Sequence, residues 1–423
     1  MYALLVWFTL TQSVAAKPPT TKALEQRIER FLALDARVST EYQERCSIAR
    51  ELAEIEVPDE KAEKTWRERL AKLLPKSAAR LERESGRHFL WPEDKKGSSG
   101  KGLYLVGGAT KKPKGLLIGL HGGGVGSGDA ESARAELESV AQAFDLVGIF
   151  PEVLEKTERG WTDSGTEEFV VDLIEAAIRT WGLDRDRVYL SGHSMGGYGS
   201  WMLGAHHADL VAAIAPSAGA PTPVMNSAGS VIDVSWGVIP NLRNVRVRIY
   251  QSDNDLNVPP AANRIAAQKL GEARERWGGF DFEYWEVPGR AHELPPGGMR
   301  ALFEKVADAR REPRPTKLVW QPALEWKRQF YWLAWDVPRK HALVEAELDV
   351  RANAVHVRCD QDPKGLAVLV DDELLDLDRE LLVTLEGREV FRGKPRRSLA
   401  TLLESGARND ARSTYSARIE LAP

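Results

Sequence analysis

The feature that most constrains the fold is an apolar run that leads directly into a turn of small residues around a serine. Residues 188–191 read Val-Tyr-Leu-Ser, residues 192–196 read Gly-His-Ser-Met-Gly, and helical periodicity follows over 195–205. A strand that turns tightly into a helix through Gly-x-Ser-x-Gly holds its serine in a strained conformation, and the helix N-terminus favours developing negative charge. The pattern predicts Ser194 as a nucleophile at the edge of a sheet.

Short apolar runs alternate with helical segments on both sides of this turn. The runs lie at 116–120, 146–150, 188–191, 211–214 and 245–250, and helical periodicity fills 166–181, 195–205 and 260–277. Strand–helix alternation predicts a mostly parallel sheet with helices on both faces. We therefore expect residues 96–312 to form an α/β domain that carries the serine.

The region before this domain has only helical periodicity. Leu24, Ile28 and Phe31 recur at helical spacing among many charged residues, and similar texture continues over 22–90. Apolar residues three and four positions apart predict helices with one packed face. Residues 17–95 are therefore predicted to be a helical extension that caps or packs on the α/β domain.

The region after the α/β domain reads as strands. Residues 311–315, Arg-Glu-Pro-Arg-Pro, are interpreted as a linker, and apolar and polar residues then alternate over 346–351, 355–360 and 415–421. A period of two with one polar face indicates antiparallel strands packed on one side. Residues 316–423 are predicted to form a β-sandwich-like domain.

The first residues resemble a targeting segment. Residues 1–10 are mostly apolar, and the small residues that follow end at Ala16, a pattern typical of a cleaved signal peptide. The run is too short to span a bilayer as an ordinary helix. We predict that residues 1–16 are a signal peptide, that the protein is exported, and that no integral membrane segment remains after cleavage. A buried N-terminal helix is the alternative.

Charge and cysteine content exclude several kinds of partner and site. The net charge is −4 with both signs spread along the chain, which gives no electrostatic reason to expect nucleic acid as a partner. Cys46 and Cys359 lie in different predicted domains and match no disulfide framework or zinc spacing. We expect two unpaired thiols, no metal and no organic cofactor.

A glycine-rich turn follows an upstream apolar strand. Residues 116–124 read Leu-Leu-Ile-Gly-Leu-His-Gly-Gly-Gly, and six of the ten residues from 119 to 128 are glycine, which lets the backbone approach a substrate closely. Acyl transfer creates an oxyanion that needs two or more N–H donors aimed at one point. We predict an oxyanion hole that combines the Met195 N–H with an N–H from the turn at Gly122 and Gly123. The turn lacks the patterns of a nucleotide-binding loop.

A serine nucleophile needs a general base, and elimination leaves one histidine for that role. Among eight histidines, His292 alone follows a late apolar strand, 280–287, in the expected order of serine, acid and base. His193 adjoins the serine, so its side chain is expected to point away from Ser194. The other six precede the serine, lie on or just after the elbow helix, or belong to the C-terminal region.

Two aspartates qualify as the acid that orients this base. Residues 251–259 read Gln-Ser-Asp-Asn-Asp-Leu-Asn-Val-Pro and follow a predicted strand. Asp255 begins an Asp-x-x-Val-Pro sequence that enters the next helix, which favours it as the acid. Asp253 remains the alternative and is expected to shape the turn through its own backbone.

Residues 100–310 resemble the α/β-hydrolase superfamily, in particular secreted esterases of the polyhydroxybutyrate depolymerase and feruloyl esterase type and prolyl oligopeptidase-like hydrolases. The resemblance rests on residues 120–124, 181–188, 192–198 and 255–259. It implies an α/β-hydrolase fold with Ser194 as nucleophile, His292 as base, Asp255 as orienting acid, and Gly122, Gly123 and Met195 near the oxyanion hole. Two positions depart from the family pattern, namely Gln251-Ser252 where His-Gly is frequent and Gly289-Arg-Ala-His292 where Gly-x-Gly-His is frequent.

The predicted chemistry is two-step acyl transfer on a carboxylic ester through an acyl-enzyme. Only about 75 helical residues precede the α/β domain, too few for the propeller of a full prolyl oligopeptidase. Small-molecule or polymer-attached esters are therefore the expected substrates, and a serine peptidase of the prolyl oligopeptidase type is the runner-up.

A third hypothesis is an esterase that binds polysaccharide through its C-terminal domain. It depends on exposure of an aromatic segment, whereas burial at the domain junction is the favoured reading. That segment contains Trp320, Trp326, Phe330, Tyr331, Trp332 and Trp335. The acidic residues from Asp371 to Asp378 suggest calcium or, as the favoured interpretation, a solvated strand edge.

Overall fold

The computed structural model describes residues 21–55, 57–73, 79–92, 99–406 and 410–422. Its helices are α1 (Thr21–Ala33), α2 (Ser39–Ala53), α3 (Glu60–Leu73), α4 (Ala130–Ala143), α5 (Thr166–Trp181), α6 (Met195–His206), α7 (Ala261–Trp277), α8 (Gly298–Phe303) and α9 (Leu399–Gly406). Its first ten strands are β1 (Gly86–Trp91), β2 (Lys101–Gly108), β3 (Gly115–Leu120), β4 (Leu146–Pro151), β5 (Val188–His193), β6 (Ala213–Ser217), β7 (Pro223–Met225), β8 (Val231–Val234), β9 (Arg246–Ser252) and β10 (Phe282–Val287). The later strands are β11 (Lys317–Trp320), β12 (Gln329–Phe330), β13 (Leu333–Trp335), β14 (Val344–Asp349), β15 (Ala354–Cys359), β16 (Leu366–Val370), β17 (Leu381–Leu385), β18 (Arg388–Gly393) and β19 (Ala417–Glu420).

The main sheet has eight strands in the order β1-β2-β4-β3-β5-β6-β9-β10. β2 is antiparallel to both of its neighbours, and the remaining pairings, from β4 to β10, are parallel. The carboxyl ends of the parallel strands therefore meet at one edge, where ligands bind in open α/β sheets. The elbow serine, the glycine-rich turn and the loops after β9 and β10 all lie at that edge.

Helices cover both faces of this sheet, as predicted. Leu117 and Tyr189 belong to an apolar core with α4 and α8, whereas Ile118 and Leu190 face a second core that includes α5, α6 and α7. All four side chains are almost completely buried. Strands buried on both faces read as continuous apolar runs, which explains why periodicity located them in the sequence.

The C-terminal region forms two sheets, in agreement with the predicted β-rich domain. One sheet has the order β11-β14-β15-β17-β18 and the other β12-β13-β16-β19. Val355 of the first sheet and Val368 of the second belong to one apolar core, which continues to Ile214 of the main sheet. Two sheets that share an apolar interior form a sandwich-like arrangement. Continuity of the core shows that this region packs directly on the α/β domain.

The N-terminal helices pack against the C-terminal region. Ile28 and Phe31 are buried in an apolar core with Leu399 and Leu402 of α9. The expectation of helical structure to about residue 90 is wrong at its end, because residues 86–91 form the edge strand β1. This segment contains aromatic residues and pairs with β2. The pairing of two strands cannot be recognised from helical periodicity within one segment.

The segment 311–315 is a packed junction, so its interpretation as a linker is wrong. The Arg311 side chain is 2% exposed. It donates to Asp186 of the α/β domain at 3.1 Å and to Asp410 of the C-terminal region at 2.7 Å. A buried guanidinium needs such carboxylate partners, and here they join the two regions.

Several of the acidic residues that begin at Asp371 are paired with arginines. Arg314 donates to both carboxylate oxygens of Asp371, at 2.5 and 2.7 Å, and Arg397 donates to Asp372 and Asp378. The Asp371 side chain is 1% exposed. The solvated-edge interpretation is therefore wrong for Asp371. Its oxygens, which a calcium ion would need as ligands, accept hydrogen bonds from arginine.

Most of the aromatic segment from Trp320 to Trp335 is buried, as the favoured interpretation predicted, and Trp326 is partly buried. Trp320, Trp332 and Trp335 are at most 2% exposed. The Tyr331 hydroxyl donates to the Ala208 carbonyl of the α/β domain at 2.8 Å. These side chains pack the domain junction, so they do not form an exposed stripe for polysaccharide.

The predicted signal peptide, residues 1–16, lies outside the described residues. Among the residues that the structure describes, none of the helices combines the length and apolarity needed to cross a membrane. Cys46 and Cys359 are free thiols, as predicted.

Candidate active site

Ser194 lies in the turn between β5 and α6 in a strained backbone conformation. Its φ is 60° and its ψ is −122°, a combination that residues other than glycine seldom adopt. Its N–H donates to the Ser217 carbonyl at 2.9 Å, and its own carbonyl accepts from the Tyr198 N–H at 3.1 Å. Hydrogen bonds on both sides of the residue hold it in this conformation at the carboxyl edge of the sheet.

Close packing explains the two glycines that flank this serine. A Cβ atom at Gly192 would lie 2.3 Å from the Leu120 carbonyl oxygen, and one at Gly196 would lie 1.9 Å from the same oxygen. Any side chain at either position would force β3 away from the elbow. The Gly-x-Ser-x-Gly pattern therefore reflects the approach of β3 to the turn.

The glycine-rich turn after β3 lies beside the serine. A Cβ atom at Gly122 would lie 3.3 Å from Ser194 Cβ and 4.0 Å from Ser194 Oγ. The Gly122 carbonyl accepts a hydrogen bond from His121 Nδ1 at 2.7 Å. Since C=O and N–H point in opposite directions in a trans peptide, the Gly123 N–H points away from His121. Met195, the first residue of α6, and Gly122 therefore lie next to Ser194, and Gly123 follows Gly122 in the turn.

His121 fixes this turn, a role that the sequence reasoning did not assign. Its ring is buried, and the Val153 N–H donates to its Nε2 at 3.2 Å. The proton must then reside on Nδ1, which donates to Gly122. Burial lowers the pKa of His121, which keeps the ring neutral. Trp161 completes the support, because its Nε1 donates to the His121 carbonyl at 3.2 Å.

Asp255 is the aspartate that contacts the histidine. Its Oδ1 accepts from the backbone N–H groups of Asn257 and Val258, both at 2.9 Å. Its Oδ2 accepts from Gln251 Nε2 at 3.3 Å and lies 2.7 Å from His292 Nδ1. The carboxylate is fully buried, so these bonds fix its orientation toward the histidine.

Gln251 and Asp253 organise the loops around this contact. Gln251 is buried, its Nε2 also donates to the Val258 carbonyl, and its Oε1 accepts from Asn263 Nδ2 at 2.7 Å. It therefore braces the acid loop at a position where the sequence departs from the resembled family. Asp253 was expected to act through its own backbone, but its Oδ1 accepts from the Gly289 N–H of the other loop at 2.6 Å.

His292 lies between Asp255 and the end of β5. Its ring centroid is 4.8 Å from that of His193, with the ring planes inclined at 35°. His193 Nδ1 is 3.0 Å from Ser217 Oγ. Burial, and secondly the proximity of His292, lower the pKa of His193 to about 4. This contact between the rings of His193 and His292 was not predicted from the sequence.

Other histidines hold partners elsewhere in the molecule. His206 Nδ1 is 3.0 Å from Glu167 Oε2, and both side chains are buried. His88 Nε2 is 2.9 Å from the Glu84 carbonyl oxygen, and His356 on β15 contacts Thr384. His292 instead forms its hydrogen bond with Asp255, so the structure brings together the histidine and the aspartate that the sequence favoured as base and acid.

The sheet order, the strained serine after β5, the aspartate after β9 and the histidine after β10 together define the α/β-hydrolase fold. The fold prediction is confirmed. The chain also has features outside this fold, namely the N-terminal helices and the two C-terminal sheets.

The known proteins that are similar to this chain include esterases. No family model matches the chain. A bifunctional acetylxylan esterase/xylanase of Neocallimastix patriciarum is 24% identical over 237 residues, which make up 49% of this chain and 33% of that protein. The chain thus matches about a third of the length of this curated relative.

Two solved structures are similar at low identity. A thermostable esterase has a TM-score of 0.40 and 16% identity, with 54% of this chain and 63% of that chain covered. A ferulic acid esterase of Anaeromyces mucronatus has a TM-score of 0.38 and 16% identity, with 56% of this chain and 95% of that chain covered.

Proposed function

We propose that this chain is a carboxylic ester hydrolase with Ser194 as nucleophile, His292 as general base and Asp255 as orienting carboxylate. The observation that carries the proposal is the 2.7 Å hydrogen bond between His292 and Asp255, with the His292 ring against His193, the residue that precedes a serine held at a φ of 60°. Serine, histidine and carboxylate in these roles perform acyl transfer on several unrelated folds. The similarity to an acetylxylan esterase, which covers 49% of the chain, supports the same activity.

The first chemical step joins the acyl group to the serine. Because Asp255 accepts a hydrogen bond from Nδ1 of His292, the lone pair of the ring is on Nε2, and Nε2 is the proposed acceptor of the Ser194 proton. Ser194 Oγ attacks the ester carbonyl carbon as its proton passes to Nε2, and Asp255 stabilises the resulting imidazolium. The N–H groups of Met195 and of the Gly122–Gly123 turn stabilise the oxyanion. Collapse of this intermediate expels the alcohol, which takes the proton from His292.

The second step releases the acid by the reverse use of the same groups. His292 removes a proton from water, the hydroxyl attacks the acyl carbon, and the oxyanion forms again in the same site. The bond to Ser194 Oγ then breaks, and His292 returns the proton to the serine. An alcohol is a better leaving group than an amine, so this arrangement favours esters over amides.

Labelling with a fluorophosphonate tests the proposal. The wild-type protein should be labelled and should hydrolyse p-nitrophenyl acetate, whereas Ser194→Ala should lose the label and at least about 10⁴-fold in kcat. Ser132→Ala, which changes an exposed serine on α4, is the matched control and should behave as the wild type. Equal labelling of Ser194→Ala and wild type would reject Ser194 as nucleophile. Faster turnover of a proline p-nitroanilide than of the ester would favour a peptidase instead.

A further inference from the structure

We propose that His193 is a positioning residue, whose ring packs against His292 and holds the base between Asp255 and Ser194. The proposal rests on the proposed function, because it gives His193 a part in the same reaction. It starts from the two rings, whose centroids are 4.8 Å apart, and from the position of His193 immediately before the nucleophile.

The base has little support from its own loop. His292 lies between β10 and α8, and the residues on either side of it, Ala291 and Glu293, are exposed. The hydrogen bond to Asp255 fixes Nδ1 but leaves the ring free to rotate about that contact. A second contact on the face of the ring is therefore needed to keep Nε2 directed at Ser194, since small displacements of catalytic groups are costly in rate.

His193 is itself well placed to supply that contact. It is the last residue of β5, and it pairs in register with Ser217 of the neighbouring strand β6. Its Nδ1 is 3.0 Å from Ser217 Oγ, which fixes the orientation of the imidazole. His193 thus connects the edge of the sheet to the ring of His292.

The charge state of His193 suits this role. The groups that face it are Ser217 from β6, His292 from the loop after β10 and Asp255 from the loop after β9. Desolvation and the neighbouring His292 lower the pKa of His193 to about 4, so the ring is neutral at pH 7. A neutral aromatic face accepts an adjacent imidazolium, whereas a second cation would oppose proton transfer to His292.

Three substitutions at this position separate ring packing from charge. His193→Phe keeps an uncharged ring and should retain kcat within about 3-fold. His193→Asn keeps a polar partner for Ser217 without a ring, and its kcat should fall between about 10- and 100-fold with little change in KM. His193→Lys adds a positive charge, which should move the acid limb of the kcat/KM profile to lower pH by about one unit. His356→Lys, on the exposed side of β15, is the charge-matched control and should leave that limb in place.

The outcomes distinguish positioning from a purely structural role. Wild-type kcat in a folded His193→Asn, or an unmoved acid limb in His193→Lys, would overturn the proposal. A lower melting temperature with unchanged kcat and pH profile would also overturn it. If His193→Asn fails to fold, the comparison of His193→Phe with His193→Lys decides in its place. Ester hydrolysis that persists in Ser194→Ala would reject the proposed function itself, a separate result from any change at His193.

Discussion

The loop that carries the proposed acid, Asp255, and the loop that carries the proposed base, His292, differ in how they are held. Asp255 is fully buried, and its oxygens accept hydrogen bonds from two backbone N–H groups and from Gln251, in addition to the bond with His292. His292 is 18% exposed at its side chain, and its ring depends on Asp255 and His193, which belong to other elements. Asp255 is therefore held by contacts within its own segment, whereas the contacts of the His292 ring come from other elements.

Substitution of the acid should have the largest effect on this arrangement. Asp255→Asn keeps the shape of the side chain but places an amide where His292 Nδ1 needs an acceptor, which favours the wrong tautomer of the base. We expect kcat for p-nitrophenyl acetate to fall about 10⁴-fold, as removal of the charge does in other triads. Asp253→Asn is the matched control, because it removes an exposed charge two residues earlier but keeps an oxygen that accepts from the Gly289 N–H. A folded Asp255→Asn with more than a tenth of wild-type kcat would show that the base does not depend on this acid.

Local pattern in the sequence predicted the residues of the proposed site. Ser194, Asp255 and His292 each follow an apolar strand, and the strands and helices around them were visible as periodicity. The role of Gln251 was not predictable, because a local pattern does not show that its side chain is buried and turned toward Asp255, Val258 and Asn263. The role of His193 was not predictable either, because it depends on a contact with a loop that is distant in the chain. The edge strand over 86–91 was missed for the same reason, since only its ladder with β2 makes it a strand.

Loss of the Gln251 hydrogen bonds in the loop that carries Asp255 should have an intermediate effect on kcat. Gln251→Leu removes the contacts to Asp255, Val258 and Asn263 and leaves buried polar groups without partners. We expect a loss of about 1–3 kcal/mol in the free energy of unfolding, measured by urea denaturation. We also expect about a 10-fold lower kcat, because the carboxylate loses one of its restraints.

The control for this experiment is Gln268→Leu, an exposed glutamine of α7. It should change neither stability nor kcat appreciably. If Gln251→Leu lowers stability but leaves kcat unchanged, the two backbone N–H groups alone suffice to orient Asp255. The orientation of Asp255 would then not depend on the hydrogen bond from Gln251.

The smallest expected effect comes from the hydrogen bond that joins the two loops. Asp253→Ala removes the acceptor of the Gly289 N–H, an exposed contact that holds the base loop near the acid loop. A net contribution of about 0.5–1.5 kcal/mol for such a bond corresponds to a decrease in kcat of about 2- to 10-fold if the base loop is displaced. Faster amide hydrogen exchange at Gly289 should accompany it.

Asn254→Ala is the matched control for that last variant, because Asn254 contacts the base loop through its backbone N–H, which the substitution retains. Its kcat and its exchange rate at Gly289 should equal those of the wild type. Faster exchange in Asp253→Ala without a change in kcat would show that His292 keeps its position while its loop moves. The ring of His193 and the carboxylate of Asp255 would then suffice to hold the base, and the loop itself would contribute only the covalent connection.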